Sequence, residues 1–310
     1  MSGSQLKGRF APSPTGRMHA GNIFAALMSW LIVKSSGGEI VLRIEDLDKE
    51  RSKQVYIDAI QHDFEYLGLF WDEGPYFQHD RAKAYVAAYN ELECRDLLYP
   101  CYCTRADLHT LSAPHFGEKQ VYPGWCRNLN TQERAAKESS GRRGAMRLKV
   151  PDENVSFCDL IQGSYQQNLA KECGDFLVRR SDGEFAYQLA VVLDDAAQGI
   201  NMIVRGVDLV CSTPQQIYLQ SLFGFETPAY AHVPLLVSQA NRRLSKRDHD
   251  ASLDALLTRF KTPQAIIGHI AYISGLIDKE EAVWPSEILK HFDTAQISSK
   301  LIDRTQIPWH

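Results

Sequence analysis

The segment G-R-F-A-P-S-P-T-G-R-M-H-A-G-N, Gly8 to Asn22, decides how the rest of the chain is read. With Leu6 before it, its start predicts a short strand; two prolines and Gly16 break that strand, and an apolar helix is expected just after Gly21. A helix N-terminus offers unpaired backbone N–H groups and the positive end of the helix dipole, so a phosphate can sit there. Gly21 would leave room for its approach, and His19 would stand beside it as a donor. The competing reading is a rigid loop with a surface histidine, and only the rest of the chain decides between them.

Outward from this segment, Ile23 to Lys34 reads as a buried helix closed by Gly37 and Gly38, and Glu39 to Ile44 as a strand. That strand ends in E-D-L-D, with carboxylates at Glu45, Asp46 and Asp48. Ligands of open parallel sheets bind beyond the carboxyl ends of the strands, which puts the first loop and these acids at one edge. Glu45 is the candidate for holding an ammonium group; Asp48 reads as the cap of a helix over Lys53 to Leu67. Arg81 to Arg95 predicts another helix. Beyond Leu98 come C-Y-C-T-R and Y-P-G-W-C-R, which bring Cys101, Cys103 and Cys126 into a short span with Tyr122. Three thiols and one further donor suit tetrahedral zinc, with His115 and Tyr122 both open as the fourth ligand and free buried thiols as the alternative. Cys94, Cys158, Cys173 and Cys211 read as small core residues.

Phe176 to Arg180, S-D-G-E and a run from Phe185 suggest a hairpin, followed by an apolar segment Tyr187 to Leu193 closed by Asp194 and Asp195. A strand Asn201 to Arg205, a helix Gln215 to Phe223 capped by Ser212 or Thr213, and a last core strand Ala231 to Val237 complete a second half. Then comes R-R-L-S-K-R-D, a basic loop able to close over a triphosphate, and a helical remainder broken at Trp284 and Pro285. The alternation predicts an α/β protein: a doubly wound, Rossmann-type parallel sheet split by a zinc-bearing insertion, with a short helical C-terminal region. Residues 1–98 and 176–250 would form the two halves of the catalytic domain, 99–175 the insertion and 251–310 the helical region.

Composition sets outer limits. A net charge of −4 gives no global field for nucleic acid, so RNA would need a local basic face such as Arg142, Arg143 and Arg147 or the cluster Arg242 to Arg247, both of which also read as solvated surface. No stretch approaches the roughly 20 apolar residues of a membrane span, and seven cysteines without a secretory leader argue for reduced thiols or a metal, hence a cytoplasmic location.

R-F-A-P-S-P-T-G-x-x-H-x-G, R-I-E-D-L-D, the late R-G-x-D and R-L-S-K-R, in this order, resemble the class I glutamyl-tRNA synthetase family from about Lys7 to Arg247. H-A-G-N matches that family's HIGH signature only at His19 and Gly21, and R-L-S-K-R stands where its KMSKS signature would. The resemblance implies that Arg9, Phe10, Ala11, Pro12, Ser13, Glu45, Tyr187 and Arg205 bind glutamate. It also implies that His19, Gly21, Asn22 and Lys246 serve ATP, with His19, Gly21 and Lys246 stabilising adenylation, and that Mg²⁺ accompanies the nucleotide. The C-x-C and Y-x-x-x-C pattern and the short remainder after Arg247 resemble the family's branch lacking an anticodon-binding domain. From the residues themselves one structural Zn²⁺ on Cys101, Cys103, Tyr122 and Cys126 is expected, while the resemblance implies attachment of glutamate to the queuosine base of tRNA(Asp); a monomer is expected. An ordinary or truncated glutamyl-tRNA synthetase charging a 3′ end, and an inactive tRNA-binding paralogue, are the alternatives; His19, Glu45, Arg205 and Lys246 together argue against the inactive form.

Overall fold

The computed structural model describes residues 5–104, 106–107, 121–238, 252–294, 301 and 304–309. Lys246 and the basic loop around it, and His115, lie outside the described residues.

The chain opens with parallel strands β1 (Lys7–Phe10), β2 (Glu39–Ile44) and β3 (Glu73–Phe77), linked through helices α1 (Ala20–Lys34) and α2 (Gln54–Tyr66). Helix α3 (Ala82–Cys94) leads to β4 (Leu98–Cys101), β5 (Ala145–Leu148), β6 (Asn154–Asp159), β7 (Gly163–Asn168) and β8 (Phe176–Arg179). Of these, β4, β5 and β8 form an antiparallel sheet, while β6 and β7 make a hairpin. The second half supplies β9 (Met202–Gly206) and β10 (Ala229–Val233), a parallel pair, then β11 (Leu235–Val237), which pairs with β12 (Gln306–Pro308). Strand β9 runs beside β1, with the Asn201 N–H donating to Lys7 O at 3.0 Å and the Lys7 N–H to Asn201 Oδ1 at 2.7 Å. Two sheets, β3-β2-β1 and β9-β10-β6-β7, thus meet edge to edge at β1 and β9, giving the order β3-β2-β1-β9-β10 across the core, and β6 adds to the far edge through Tyr230 and Asp159. The two halves meet between β1 and β9, where the winding reverses and a crevice opens.

The pleat sorts side chains between the two faces of this sheet. Phe10, Ile40, Leu42, Ile44, Met202, Val204, Ala231 and Val233 share one apolar core with α1. The alternating residues face the other way, and they include Arg9, Arg43, Arg205 and His232, all buried. Helix α1 is apolar nearly all round because it lies between the sheet and the C-terminal region, where the helix Pro285–Leu289 packs on it.

Several expectations change. Helix α1 starts at Ala20, so Gly21 lies within its first turn. Helix α2 is preceded by Lys53 rather than capped by Asp48, whose side chain instead accepts from the Arg51 N–H. Tyr187–Ala197 is a helix directly following a turn in which only Phe185 bridges back to Arg179. The last core strand breaks at Pro234, which has no N–H to continue a ladder. Neither Ser212 nor Thr213 caps its helix through a side chain, since Thr213 Oγ1 is engaged elsewhere. The C-terminal region holds β12 as well as helices. Cys94 and Cys158 are exposed, Cys211 half-buried, and only Cys173 is a core thiol of that group. Arg147, grouped above with surface arginines, is buried with its guanidinium 3.7 Å over the Tyr122 ring.

Candidate active site

At the carboxyl ends of β1, β2 and β9 lies a cleft of about 640 Å³. Its walls bring together Arg9, Phe10, Ala11, Pro12 and Ser13 from the first loop, His19, Gly21 and Asn22 from the start of α1, and Glu45, Tyr187 and Arg205. Every described residue proposed from sequence for glutamate or ATP thus borders one cavity. The Glu45 N–H donates to Pro12 O at 3.0 Å, which fixes the proline loop against the end of β2.

The cleft floor is an electrostatic assembly on the second face of the sheet. Asp195, from the helix Tyr187–Ala197, accepts from Arg43 Nη1 at 2.7 Å and from Arg9 Nε at 3.3 Å. Burial alone would raise the Asp195 carboxyl, but the two guanidiniums outweigh it and hold it below the ordinary range. Arg43 also donates to Gln198 Oε1 at 2.8 Å and to Glu45 Oε1 at 3.2 Å. For Glu45 the balance is opposite: burial pushes its carboxyl up, and the attraction of Arg43 and Arg9 only partly offsets it. An arriving ammonium group would supply the charge this carboxylate lacks. Burial likewise raises the phenol of Tyr187, which stands among Arg205, Glu45 and Arg9.

At the phosphate side, His19 is the N-cap of α1. Its Nδ1 accepts from the Gly21 N–H at 3.1 Å while its own N–H donates to Asn22 Oδ1 at 3.2 Å, a capping box. With Nδ1 accepting, a neutral ring carries its proton on Nε2 and is a donor there. This revises the role of Gly21. A Cβ at that position would stand 3.1 Å and 3.2 Å from His19 Cε1 and Nδ1, so the glycine makes room for the folded-back imidazole. The chain after the basic loop returns to the same place: the Leu253 N–H donates to Met18 O at 2.9 Å, and Arg17 Nη2 meets both Asp63 at 2.9 Å and Asp254 at 3.3 Å.

The thiols form a separate cluster away from the cleft lining. Cys101 and Cys103 lie two apart on extended chain and so face one way, while Tyr102 between them turns to Glu138. The sulfurs of Cys101, Cys103 and Cys126 lie within 4.8 Å of one another, with Cys103 and Cys126 3.6 Å apart. The Tyr122 hydroxyl stands 3.3 Å from Cys101 Sγ and 3.8 Å from Cys103 Sγ. Tetrahedral zinc with Zn–S of about 2.3 Å demands S–S edges of roughly 3.8 Å, so the donor set fits with little movement. Burial and the Cys101 sulfur push the Cys103 thiol up to about 12, a repulsion that a divalent cation would reverse. Gly174, at φ +68, permits the approach of this loop, since a Cβ there would lie 2.9 Å from both Tyr122 N and O.

Sequence reading missed Arg43, Asp195, Asp159, His232, Thr213 and Gln216. Arg43 left a trace, a charge at a buried position of the apolar strand E-I-V-L-R-I; the others needed the sheet order.

A reversed parallel winding with the HIGH-like turn at its switch point defines a class I synthetase catalytic fold. Residues 5–307 match the family described as tRNA synthetases class I (E and Q), catalytic domain, and the chain belongs to this family of ligases. It is 43% identical over 303 residues to the Glutamyl-Q tRNA(Asp) synthetase of Symbiobacterium thermophilum, covering 94% of each chain. It is 42% identical over 305 residues to the protein of that name from Nitratidesulfovibrio vulgaris, covering 95% of this chain and 94% of the relative. Among solved structures, a glutamate tRNA ligase from Elizabethkingia meningosepticum in complex with its amino acid superposes with a TM-score of 0.79 at 24% identity, covering 99% of this chain and 67% of that one. The glutamate-tRNA synthetase of Elizabethkingia anophelis gives 0.80 at 24% identity, covering 99% and 68%. These two likenesses carry the fold. Among the described residues, no helix is long and apolar enough to cross a membrane.

Proposed function

We propose that this chain activates glutamate with ATP and transfers it to the queuosine base in the anticodon loop of tRNA(Asp). One observation carries the amino-acid half: three buried guanidiniums, of Arg9, Arg43 and Arg205, gather on one face of the sheet with the buried carboxylate of Asp195 and the half-buried one of Glu45. Among these five side chains the guanidiniums outnumber the carboxylates, which favours an anionic amino acid such as glutamate, whose two carboxylates and one ammonium sum to minus one near neutral pH. On this reading Glu45 holds the ammonium, and Arg9 and Arg205, with Tyr187 and the Phe10 to Ser13 loop, hold the carboxylates. His19 Nε2, the positive end of the α1 dipole beside Gly21 and Asn22, and Lys246 then stabilise charge on the α-phosphate as the amino-acid carboxylate attacks, the N–H groups of Gly21 and Asn22 being engaged by His19 Nδ1 and O. Mg²⁺ enters with ATP. Cys101, Cys103, Tyr122 and Cys126 hold one structural zinc when it is bound, within an insertion spanning residues 99–175. Reduced thiolates of this kind suit a cytoplasmic enzyme.

The acceptor half rests on the names of relatives that match 94% of this chain or more. A base in a single-stranded loop can splay into a pocket and be read by stacking and edge contacts. The test is ATP–pyrophosphate exchange with glutamate in the absence of RNA, followed by transfer of labelled glutamate to an anticodon stem-loop of tRNA(Asp). Exchange without RNA and labelling of the queuosine-containing loop only are expected. Transfer to the terminal adenosine of tRNA(Glu) would reject the acceptor assignment in favour of an ordinary glutamyl-tRNA synthetase.

A further inference from the structure

The three guanidiniums at the cleft are not held alike. Arg9 is paired with Asp195, and Arg43 with Asp195 and Glu45. Arg205, only 5% exposed, has no carboxylate in direct contact among the described residues. Its partners are neutral. Nε donates to His232 Nε2 at 3.1 Å, Nη1 to Gln216 Oε1 at 2.8 Å and Nη2 to Thr213 Oγ1 at 2.8 Å. Gln216 is oriented in turn, since its Nε2 donates to Gln188 Oε1 at 2.7 Å and Gln188 Nε2 donates to Gln215 Oε1 at 2.9 Å. Three of the five guanidinium N–H donors are thereby spent on neutral partners and the plane is fixed, with no carboxylate of the described residues bonded to the guanidinium.

Sheet register builds this arrangement. On neighbouring strands His232 stands directly opposite Arg205, and Asp159 ends the next strand beside Tyr230. Asp159, His232 and Arg205 therefore form a row across the carboxyl ends of β6, β10 and β9. Asp159 accepts from the N–H groups of Ile161 at 3.0 Å, Gln162 at 2.8 Å and His232 at 3.1 Å, and lies 2.6 Å from His232 Nδ1. Burial would raise the Asp159 carboxyl, but these bonds outweigh it and keep it ionised. Burial, with Arg205 adding to it, lowers the His232 ring and keeps it neutral. A neutral ring giving its Nδ1 proton to a carboxylate has a lone pair at Nε2, which is what the Arg205 Nε–H requires.

We propose that the Asp159–His232 pair is a positioning device that aims Arg205 at an amino-acid carboxylate and, by offering it a neutral acceptor in place of a counter-ion, leaves its charge free to bind that carboxylate. This rests on the glutamate-activating reading above. The pair touches no substrate; it acts through Arg205, directly and by way of Thr213, whose Oγ1 lies 3.2 Å from His232 Nε2 and accepts from Arg205 Nη2. A device of this kind separates glutamate affinity from ATP affinity, which a general loss of packing would not do.

Two substitutions divide the two ends of the imidazole. His232→Gln keeps an acceptor oxygen near the Nε2 position, whereas His232→Asn keeps a donor near Nδ1 and abandons Arg205. In exchange assays the wild-type enzyme must first respond to glutamate; absence of that response would overturn the activity and this inference with it. With an active wild type, His232→Asn should raise the glutamate KM roughly 10- to 100-fold, the range for losing one hydrogen bond to a charged group, with the ATP KM unchanged. His232→Gln should restore most of that loss. Equal glutamate KM values for the two variants, or parallel shifts for ATP, would overturn the positioning role and leave the activity standing. Gln216→Glu gives an independent reading that spares the histidine, because it sets a carboxylate of the same shape against Arg205 Nη1. It also gives up the bond to Gln188 Oε1, so it is read on the two KM values: it should weaken glutamate by at least tenfold with the ATP KM unchanged, and unchanged glutamate affinity in this variant would refute the free-charge argument.

Discussion

Replacing Glu45 by Gln removes one charge and almost no volume from the cleft, and the site predicts opposite consequences for binding and for folding. The Glu45 side chain is 10% exposed and meets Arg43 Nη2 at 3.2 Å. An amide oxygen can keep that hydrogen bond, so the lost quantity is the charge that faces the substrate ammonium. Leaving a buried charge without its partner costs about 3–5 kcal/mol, which at about 1.36 kcal/mol per decade is a loss of roughly 10² to 10⁴ in kcat/KM for glutamate. Folding responds the other way. Because burial raises the Glu45 carboxyl, the folded protein binds this proton more tightly than the unfolded chain, whose carboxyl titrates near about 4.3. Wild-type stability contributed by the protonated form is full below that value and is lost as pH rises through the folded pKa. E45Q lacks this loss, so at neutral pH it should melt no lower than wild type while failing in ATP–pyrophosphate exchange with glutamate. A glutamate KM within a factor of about 3 of wild type would refute the ammonium assignment, and a lower melting temperature would refute the burial argument.

Other outcomes follow from the same structure. Asp63, whose carboxyl burial pushes up to about 6 from 3.8 with Arg17 only partly offsetting it, also costs stability as pH rises through 6. Asp63→Asn should remove a pH-dependent penalty of at most about 3 kcal/mol between pH 4 and 7, measured by urea melts; identical pH slopes in the two proteins would count against it. Gly21→Ala gains about 1 kcal/mol of helix propensity but presses on the His19 ring, whose cap is worth about the same. Its melting temperature should barely move while the ATP KM rises, and an unaltered ATP KM would show that the His19 geometry is not needed. Chelation, or Cys103→Ser, should release zinc detectable by metal analysis and lower the melting temperature more than it alters glutamate activation. Zinc-free wild-type protein of full stability would exclude the structural metal.

The local signals of this chain were strong enough to be read directly. Two prolines and Gly16 after a strand, then an apolar run, dictate a strand–turn–helix because each acts within a few residues. The C-x-C spacing places both sulfurs on one side through the period of extended chain, and the acids after Ile44 had to fall at a strand end. What no local signal carries is the order of the strands. Only the meeting of β1 with β9 puts Arg9, Arg43 and Arg205 side by side on one buried face, and only that crowding requires Asp195 from a helix more than 180 residues further along the chain. His232 reads as an ordinary strand residue until register sets it against Arg205, and Thr213 as a helix cap until its hydroxyl is found on the same guanidinium. Residue types and turns are properties of neighbours in sequence; charge balance in a desolvated site depends on everything within a few ångströms, and the tertiary fold alone decides which groups those are.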